Sequence, residues 1–260
     1  MQVYDSVSEI IGKTPLVRLK GFGENLYGKC EFLNPSHSIK DRAAYAMIKK
    51  ALDEAHISKE TTIIECTSGN MGISLAMICA TLGLKIILAM PESMSIERRK
   101  MMALFGAKLE LTPASEGMKG AYERALALHK EIKNSFIPSQ FENLANKFAH
   151  RENTAVEILN DLDGKIDYFV AGFGTSGTIS GVGEVLKEKF ADKVKIIAVE
   201  PAASPLLSEG KAGGHKIQGI GANFIPKILN QSVIDEIQTI SNEDAIATAR
   251  ELALKNGLMV

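Results

Sequence analysis

Residues 61–72 read TTIIECTSGNMG, and they indicate the class of fold. The first six form a short apolar run rich in β-branched residues, which is typical of a strand buried on both faces. The last six combine small polar side chains with two glycines and lead into an apolar helical pattern over 72–82. A buried strand, a tight turn and a helix are the repeating part of an α/β sheet.

The same unit recurs along the chain. Apolar runs predict further strands at 85–90, 168–171 and 195–200. Helical periodicity predicts helices over 38–55, 72–82, 96–105, 117–132, 154–162 and 177–190. This alternation predicts right-handed βαβ crossovers and an α/β fold with a doubly wound sheet. The strands cluster at about 60–112 and 166–200, so we expect two lobes, each with a mainly parallel twisted sheet flanked by helices, and a cleft between them.

Composition limits the kinds of function. Lys and Arg number 30 against 31 Asp and Glu, a net charge of −1 that favours neither nucleic acid nor an anionic membrane as partner. The 3 cysteines form no C-x-x-C pair and the 5 histidines are scattered, so neither a disulfide framework nor a metal site is expected. No apolar run approaches about 18 residues, and the amino terminus lacks a signal-peptide pattern. These features predict a cytoplasmic protein that binds a small molecule.

A second segment, NPSHSIKDR at 34–42, places Lys40 in the first turn of a predicted helix that Ser38 caps. The positive end of a helix dipole disfavours an ammonium group, so this position favours the neutral amine that a Schiff base requires. Taken alone, the segment is explained more simply as a solvated, charged helix start.

The turn at 67–72 and the loop at 172–181 are candidate anion sites. Both follow a predicted strand and open a helix, so their backbone N–H groups suit a carboxylate or a phosphate, although an ordinary capped loop explains each as well. The loop, GFGTSGTISG, also matches the dinucleotide pattern G-x-G-x-x-G, and Glu200 ends the next strand where a ribose-binding acid is expected. An NAD-dependent oxidoreductase is therefore an alternative, but it gives no role to Lys40.

In this order, these segments resemble the cysteine synthase (O-acetylserine sulfhydrylase) family, which belongs to the tryptophan-synthase-β-like (fold type II) enzymes that use pyridoxal 5'-phosphate (PLP). The resemblance runs from 11–17 to the last residue and includes IGKTPLV, NPSHSIKDR, TSGNMG, QFEN at 140–143, GTSGT at 174–178 and GIGA at 219–222. It implies PLP in the cleft between a larger lobe, 1–34 plus 139–260, and a smaller mobile lobe, 35–138. The larger lobe is expected to carry the phosphate loop, and the smaller one Lys40 and the loop for the substrate carboxylate.

The resemblance also implies roles for single residues. Lys40 is expected to bind PLP and then to move the α-proton of the substrate, and Asn70 to bind the ring hydroxyl of the cofactor. The phosphate loop is expected to consist of Gly174, Thr175, Ser176, Gly177 and Thr178. The groups around the substrate carboxylate are expected to be Thr67, Ser68, Asn70 and Gln140, with Gly219 facing the substrate in the open cleft.

The implied reaction is a β-replacement in which acetate leaves O-acetyl-L-serine and sulfide adds to an aminoacrylate intermediate to give L-cysteine. The implied partners are a second copy of the chain in a homodimer and the carboxyl-terminal tail of serine acetyltransferase. Alternatives within the class are a cystathionine β-synthase-like enzyme and one that uses O-phosphoserine. A further alternative is a non-catalytic, shortened form that binds the acetyltransferase.

The chain departs from the family pattern in three places. Met71 stands where a threonine usually helps to bind the substrate carboxylate, and losing that hydroxyl removes about 1.5–3 kcal/mol unless a backbone N–H replaces it. Ser176 replaces a common glycine and offers the phosphate a further hydroxyl. A helix over 242–255 leads to a strand that begins at Leu258, and we expect the family's carboxyl-terminal end to be missing, with weakened or absent activity as the result.

Overall fold

The computed structural model describes residues 3–67 and 69–260. Its strands are β1 (Leu16–Arg18), β2 (Tyr27–Lys29), β3 (Thr62–Cys66), β4 (Lys85–Pro91), β5 (Lys108–Thr112), β6 (Ser135–Phe136), β7 (Tyr168–Gly172), β8 (Lys195–Pro201) and β9 (Glu236–Ile240). Its helices are α1 (Lys40–Asp53), α2 (Asn70–Leu82), α3 (Ile96–Leu104), α4 (Gly117–Glu131), α5 (Leu144–Ala149), α6 (Ala155–Asp161), α7 (Gly177–Phe190), α8 (Leu206–Glu209) and α9 (Asn242–Asn256). A single π-helical turn, His150–Thr154, joins α5 to α6.

The chain divides into two compact units. The first consists of the residues up to Gly12 and of Asn34–Asn146, and the second of Lys13–Leu33 and Lys147–Val260. These bounds differ from the expected lobes at both ends of the first unit. The Gly12 N–H donates to Asn34 Oδ1 at 2.8 Å, which ties the amino-terminal segment to this unit. The Ser139 N–H donates to Glu65 Oε2 at 3.1 Å, which ties the segment after β6 to β3.

The first unit is built on a parallel sheet of order β5-β4-β3-β6. Side chains of β3 alternate between its two faces, as the pleat requires. Ile63 packs with α1 and α2 on one face, and Ile64 packs with α4 on the other. Helices cover both faces, which explains why this strand is apolar along nearly its whole length.

The second unit contains a parallel sheet of order β7-β8-β9 and an antiparallel pair, β1 with β2. Buried side chains of α6, α7 and β8 form its core, among them Ala155, Val182 and Ile196. The predicted α/β class, with parallel sheets flanked by helices, is confirmed. No helix within residues 3–67 and 69–260 is long and apolar enough to cross a membrane.

The carboxyl-terminal prediction is half right. Helix α9 forms and ends at Gly257, which has φ 67° in the left-handed region that glycine adopts freely. The strand predicted to begin at Leu258 is not formed. Instead the Leu258 N–H donates back to the Leu252 carbonyl at 3.4 Å, closing the end of the helix.

Candidate active site

Lys40 is the first residue of α1 and is half-buried. The Ser38 hydroxyl accepts a hydrogen bond from its backbone N–H at 3.2 Å, although Ile39 holds the capping position proper. The side-chain amine of Lys40 makes no hydrogen bond and no ion pair with any residue of the described ranges. Burial without a counter-ion lowers the pKa of this amine, because desolvation penalises the charged form. The side chain therefore has the environment that a Schiff-base lysine requires.

A buried carboxylate beside Lys40 fixes the loop that precedes it. Asp41 is fully buried, and its carboxylate accepts the Ser36 N–H at 2.7 Å as well as the Ser36 hydroxyl. The Ser36 hydroxyl lies 3.0 Å from the hydroxyl of Ser74 on α2. This chain of contacts joins the start of α1 to α2, so it sets where the Lys40 backbone lies relative to the helix that begins at Asn70.

Asp41→Asn should destabilise the protein by about 2 kcal/mol, because the neutral amide has one acceptor oxygen where the buried carboxylate accepts both the Ser36 N–H and the Ser36 hydroxyl in charge-assisted bonds. Urea unfolding monitored by circular dichroism measures this loss. Asp53→Asn is the matched control, since Asp53 pairs with Lys49 on the surface and should change the unfolding free energy by less than about 0.5 kcal/mol. Equal losses in the two variants would contradict the role given to Asp41.

The turn after β3 holds most of the expected carboxylate-binding residues. Thr67 is buried, and its hydroxyl accepts the Gly69 N–H at 3.4 Å. Ser68 lies outside the described residues. Asn70 begins α2 with an exposed side chain, and no side chain among residues 3–67 and 69–260 caps this helix. Within the described residues, the first N–H groups of α2 thus have no capping side chain, an arrangement that suits an anion.

The two residues that follow Asn70 point into the core. Met71 is 2 % exposed and packs in the main hydrophobic cluster of the first unit. A Cβ on Gly72 would lie 2.7 Å from Met102 Cε, so the end of the Met102 side chain would have to shift to admit a side chain here. The methionine at position 71 is thus a core residue here.

Gln140 belongs to the loop before α5, which is closed by local hydrogen bonds. It is buried, and its carbonyl accepts the Asn146 side-chain amide at 2.8 Å. The preceding residue, Ser139, has φ 56°, in the left-handed region. Asn143 closes the loop by donating to the Pro138 carbonyl at 3.0 Å.

Glu65, which sequence reasoning missed, lies on β3 beside this loop and is 6 % exposed. Burial raises the pKa of its carboxyl from 4.5 to about 7, although the backbone N–H groups of Cys66, Ser139 and Gln140 pull that pKa down. A charged residue inside an otherwise apolar strand was the available signal.

Glu65 should make stability fall with pH. The native carboxyl holds its proton more tightly than the unfolded one, so between pH 4.5 and about 7 the native state binds more protons and the unfolding free energy decreases. With about 1.4 kcal/mol for each pH unit, the total is about 3 kcal/mol, complete above pH 7. Urea unfolding of the wild type and of Glu65→Gln across this range measures it. Parallel curves for the two proteins would refute the assignment.

The expected phosphate loop lies in the second unit, between β7 and α7. Thr175 and Ser176 are buried, and Ser176 has φ 72°, a conformation that glycine adopts more readily. The Ser176 hydroxyl has no hydrogen-bond partner within the described part of the chain, and no side chain there caps α7. An unpartnered buried hydroxyl and open N–H groups at a helix start are donors that fit a phosphate.

The segment of Gly219 packs directly on this loop. A Cβ on Gly174 would lie 2.6 Å from the Gly219 carbonyl oxygen, and the Gly221 N–H donates to the Phe173 carbonyl at 2.7 Å. On the helix side, the Thr178 hydroxyl lies 3.3 Å from Nε2 of the buried His150. The structure thus brings the predicted phosphate loop and Gly219 together within one unit.

Glu200, the acid that an NAD-binding site would use, is engaged in hydrogen bonds with the protein's own residues. Glu200 is fully buried, and its carboxylate accepts the Leu207 N–H at 2.8 Å and both the N–H and the hydroxyl of Ser208. These contacts start α8 and leave no oxygen in a position to bind a ribose. The dinucleotide interpretation is therefore wrong, and a monophosphate suits the loop better.

The chain matches the family described as "Pyridoxal-phosphate dependent enzyme" over residues 7–260. The desolvated Lys40 amine and the donors around Ser176 fit that cofactor, each within its own unit. The fold and these residues therefore define the class of protein, a PLP-dependent enzyme.

Known proteins narrow the class. A cysteine synthase B from Campylobacter jejuni is 68% identical over 100% of this chain and 86% of its own length. The crystal structure of cysteine synthase (OASS) from Entamoeba histolytica is 42% identical, with a TM-score of 0.95 over 99% of this chain and 78% of that one. The O-acetylserine dependent cystathionine beta-synthase from Helicobacter pylori is 38% identical, with a TM-score of 0.92 over 100% and 86%. The chain belongs to the cysteine synthase family of PLP-dependent enzymes.

Proposed function

We propose that this enzyme makes L-cysteine by replacing the acetoxy group of O-acetyl-L-serine, which leaves the β-carbon as acetate, with sulfide. The structural observation that carries the proposal is the Lys40 amine, which is desolvated and has no counter-ion in the described residues. The identity of 68% to a protein named cysteine synthase B supports the choice of reaction within the family.

In the proposed mechanism, Lys40 holds the cofactor and afterwards takes the proton from the α-carbon of the substrate, because its lowered pKa makes the neutral amine available as a base. PLP, when bound, supplies an electron sink for the charge at that carbon. The residues expected to hold it are Lys40, Asn70, Gly174, Thr175, Ser176, Gly177 and Thr178. Hydroxyl and N–H donors of the last five suit the phosphate.

The substrate carboxylate would be bound at the start of α2. Hydroxyl and amide donors would come from Thr67, Ser68, Asn70 and Gln140. The uncapped N–H groups of this helix, at the positive end of its dipole, would also stabilise the carboxylate. Met71 gives no hydroxyl to this set, so the backbone N–H groups take a larger share of the binding. Gly219, packed on the phosphate loop, is expected to leave room for the substrate because it has no side chain.

The choice of the second substrate separates this proposal from its nearest alternative. The likeness to the cystathionine beta-synthase from Helicobacter pylori favours homocysteine as the rival of sulfide. The PLP-loaded enzyme should be given O-acetylserine together with equal concentrations of sulfide and homocysteine. Mass spectrometry then quantifies the cysteine and the cystathionine that form. We expect cysteine to predominate, while a predominance of cystathionine would support the alternative. O-phosphoserine in place of O-acetylserine tests the leaving group in the same assay.

A further inference from the structure

Glu65 is a buried carboxylate for which the proposed mechanism has no use. It is the last residue but one of β3, an otherwise largely apolar strand, and is 6 % exposed. Its Oε1 accepts the Cys66 N–H at 3.1 Å and its Oε2 accepts the Ser139 N–H at 3.1 Å. The backbone N–H of Gln140 also lowers the pKa of this carboxyl. A carboxyl buried in this way needs hydrogen-bond partners that replace the water it has lost.

These partners connect two segments that are far apart in the sequence. Glu65 stands two residues before Thr67, and Ser139 lies 74 residues further along the chain. Thr67 and Gln140 are both among the residues expected to bind the substrate carboxylate, and both are buried. One carboxylate thus joins the strand that leads to Thr67 with the backbone that carries Gln140.

The loop of Gln140 needs such a fixed point. Ser139 has φ 56°, a backbone conformation that is unfavourable for a residue with a side chain. The carbonyl side of the loop is held by Asn143 and Asn146. Its N–H side is held by Glu65, which accepts the N–H of Ser139, the residue directly before Gln140.

We propose that Glu65 is a positioning residue that fixes Gln140 relative to Thr67 and so gives the enzyme its preference for a substrate with a free carboxylate. The inference rests on the proposed function, in which those two residues bind that carboxylate. A glutamine would fill the same volume but is a poor replacement. The carboxylate accepts the Cys66 and Ser139 N–H groups on its two oxygens, whereas the amide group has one oxygen and is a donor at its other end.

The test compares Glu65→Gln with a matched control, Glu200→Gln. Glu200 is a buried carboxylate as well and accepts three hydrogen bonds, but its partners, Leu207 and Ser208, belong to the second unit and to no substrate-binding group. L-alanine and L-alaninamide are suitable probes, because neither has a leaving group and they differ only in the carboxylate. Spectral titration of the PLP-loaded proteins gives both dissociation constants.

We expect the ratio of the dissociation constant of L-alaninamide to that of L-alanine to fall about tenfold in Glu65→Gln. This is the effect of displacing one charge-assisted hydrogen bond. The ratio should stay at the wild-type value in Glu200→Gln, and the affinity for PLP should stay unchanged in Glu65→Gln. A similar ratio in all three proteins, or an equal fall in both variants, would overturn the proposal.

Hydrogen exchange provides a readout that does not depend on the substrate. The amides of Ser139 and Gln140 should exchange faster in Glu65→Gln than in the wild type and at the wild-type rate in Glu200→Gln. Unchanged exchange would show that Glu65 does not hold the loop, and would also overturn the proposal. If the wild type itself does not distinguish the acid from the amide, the carboxylate roles of Thr67 and Gln140 fail, whatever the exchange result. Should Glu65→Gln fold poorly, Glu65→Asp keeps the charge, withdraws it from the loop, and is expected to give the same two changes.

Discussion

Replacing Lys40 with alanine is expected to lower the rate of cysteine formation by about 10³-fold or more, the usual effect of removing the group that moves the proton. The same change should prevent covalent attachment of the cofactor. Burial lowers the pKa of the Lys40 amine, so the wild-type side chain is the neutral nucleophile that such attachment needs. Reduction with borohydride, followed by mass spectrometry of the peptide that contains residue 40, measures the attachment directly.

Lys187→Ala is the control for this experiment. Lys187 is also largely buried, with 18% of its side chain exposed, but it pairs with Asp235 at 2.8 Å and has no expected role at the active site. This variant should lose stability while keeping both the adduct on Lys40 and the activity. Cofactor attachment to another lysine in Lys40→Ala, with activity preserved, would refute the assignment of Lys40.

Gly174→Ala should have the second largest effect. The new Cβ would lie 2.6 Å from the Gly219 carbonyl oxygen, so either the phosphate loop or the segment of Gly219 must move. Overpacking of this kind costs about 2 kcal/mol, which corresponds to about 30-fold weaker binding of PLP. Equilibrium dialysis of the apoenzyme against PLP measures the affinity.

The matched control for this change is Gly214→Ala. A Cβ at Gly214 would meet no atom within 4 Å, so this variant should bind PLP as the wild type does. If Gly174→Ala kept the wild-type affinity, the loop of residues 174–178 would not be the phosphate site. A similar loss in Gly214→Ala would point to a general effect on the second unit.

The architecture was predictable where a strand is buried on both faces, because such strands are continuous apolar runs. TTIIEC, KIILAM, YFVA and KIIAVE all became parallel strands within one residue of the expected bounds. The short antiparallel pair β1 and β2 was not predicted, since three residues each, partly exposed, show no period. Strand β9 was not predicted for a similar reason, because EIQTI is largely exposed and has little apolar character.

The site was predictable only as far as its local motifs extend. Lys40 and the loops after β3 and β7 can be recognised from the sequence by residue type and by their position at the start of a helix. The supports of those loops do not, because they come from distant parts of the chain. Asp41 acts through Ser36 and Ser74, and Glu65 acts through Ser139. The roles of the site residues, the homodimer and the binding of an acetyltransferase tail remain predictions.

Binding of the cofactor at the proposed loop would link Ser176 to the lifetime of the protein. A residue with a side chain at φ 72° costs about 1 kcal/mol or more, and a buried hydroxyl without a partner costs about 1–3 kcal/mol. A phosphate oxygen that accepts this hydroxyl removes the second cost only in the folded chain, and PLP at 100 times its dissociation constant would add about 2.7 kcal/mol to the unfolding free energy. Molecules made while the vitamin precursor of PLP is scarce would then unfold more often and be cleared sooner by proteases. The cellular amount of the enzyme would in this way follow the vitamin supply without any dedicated regulator.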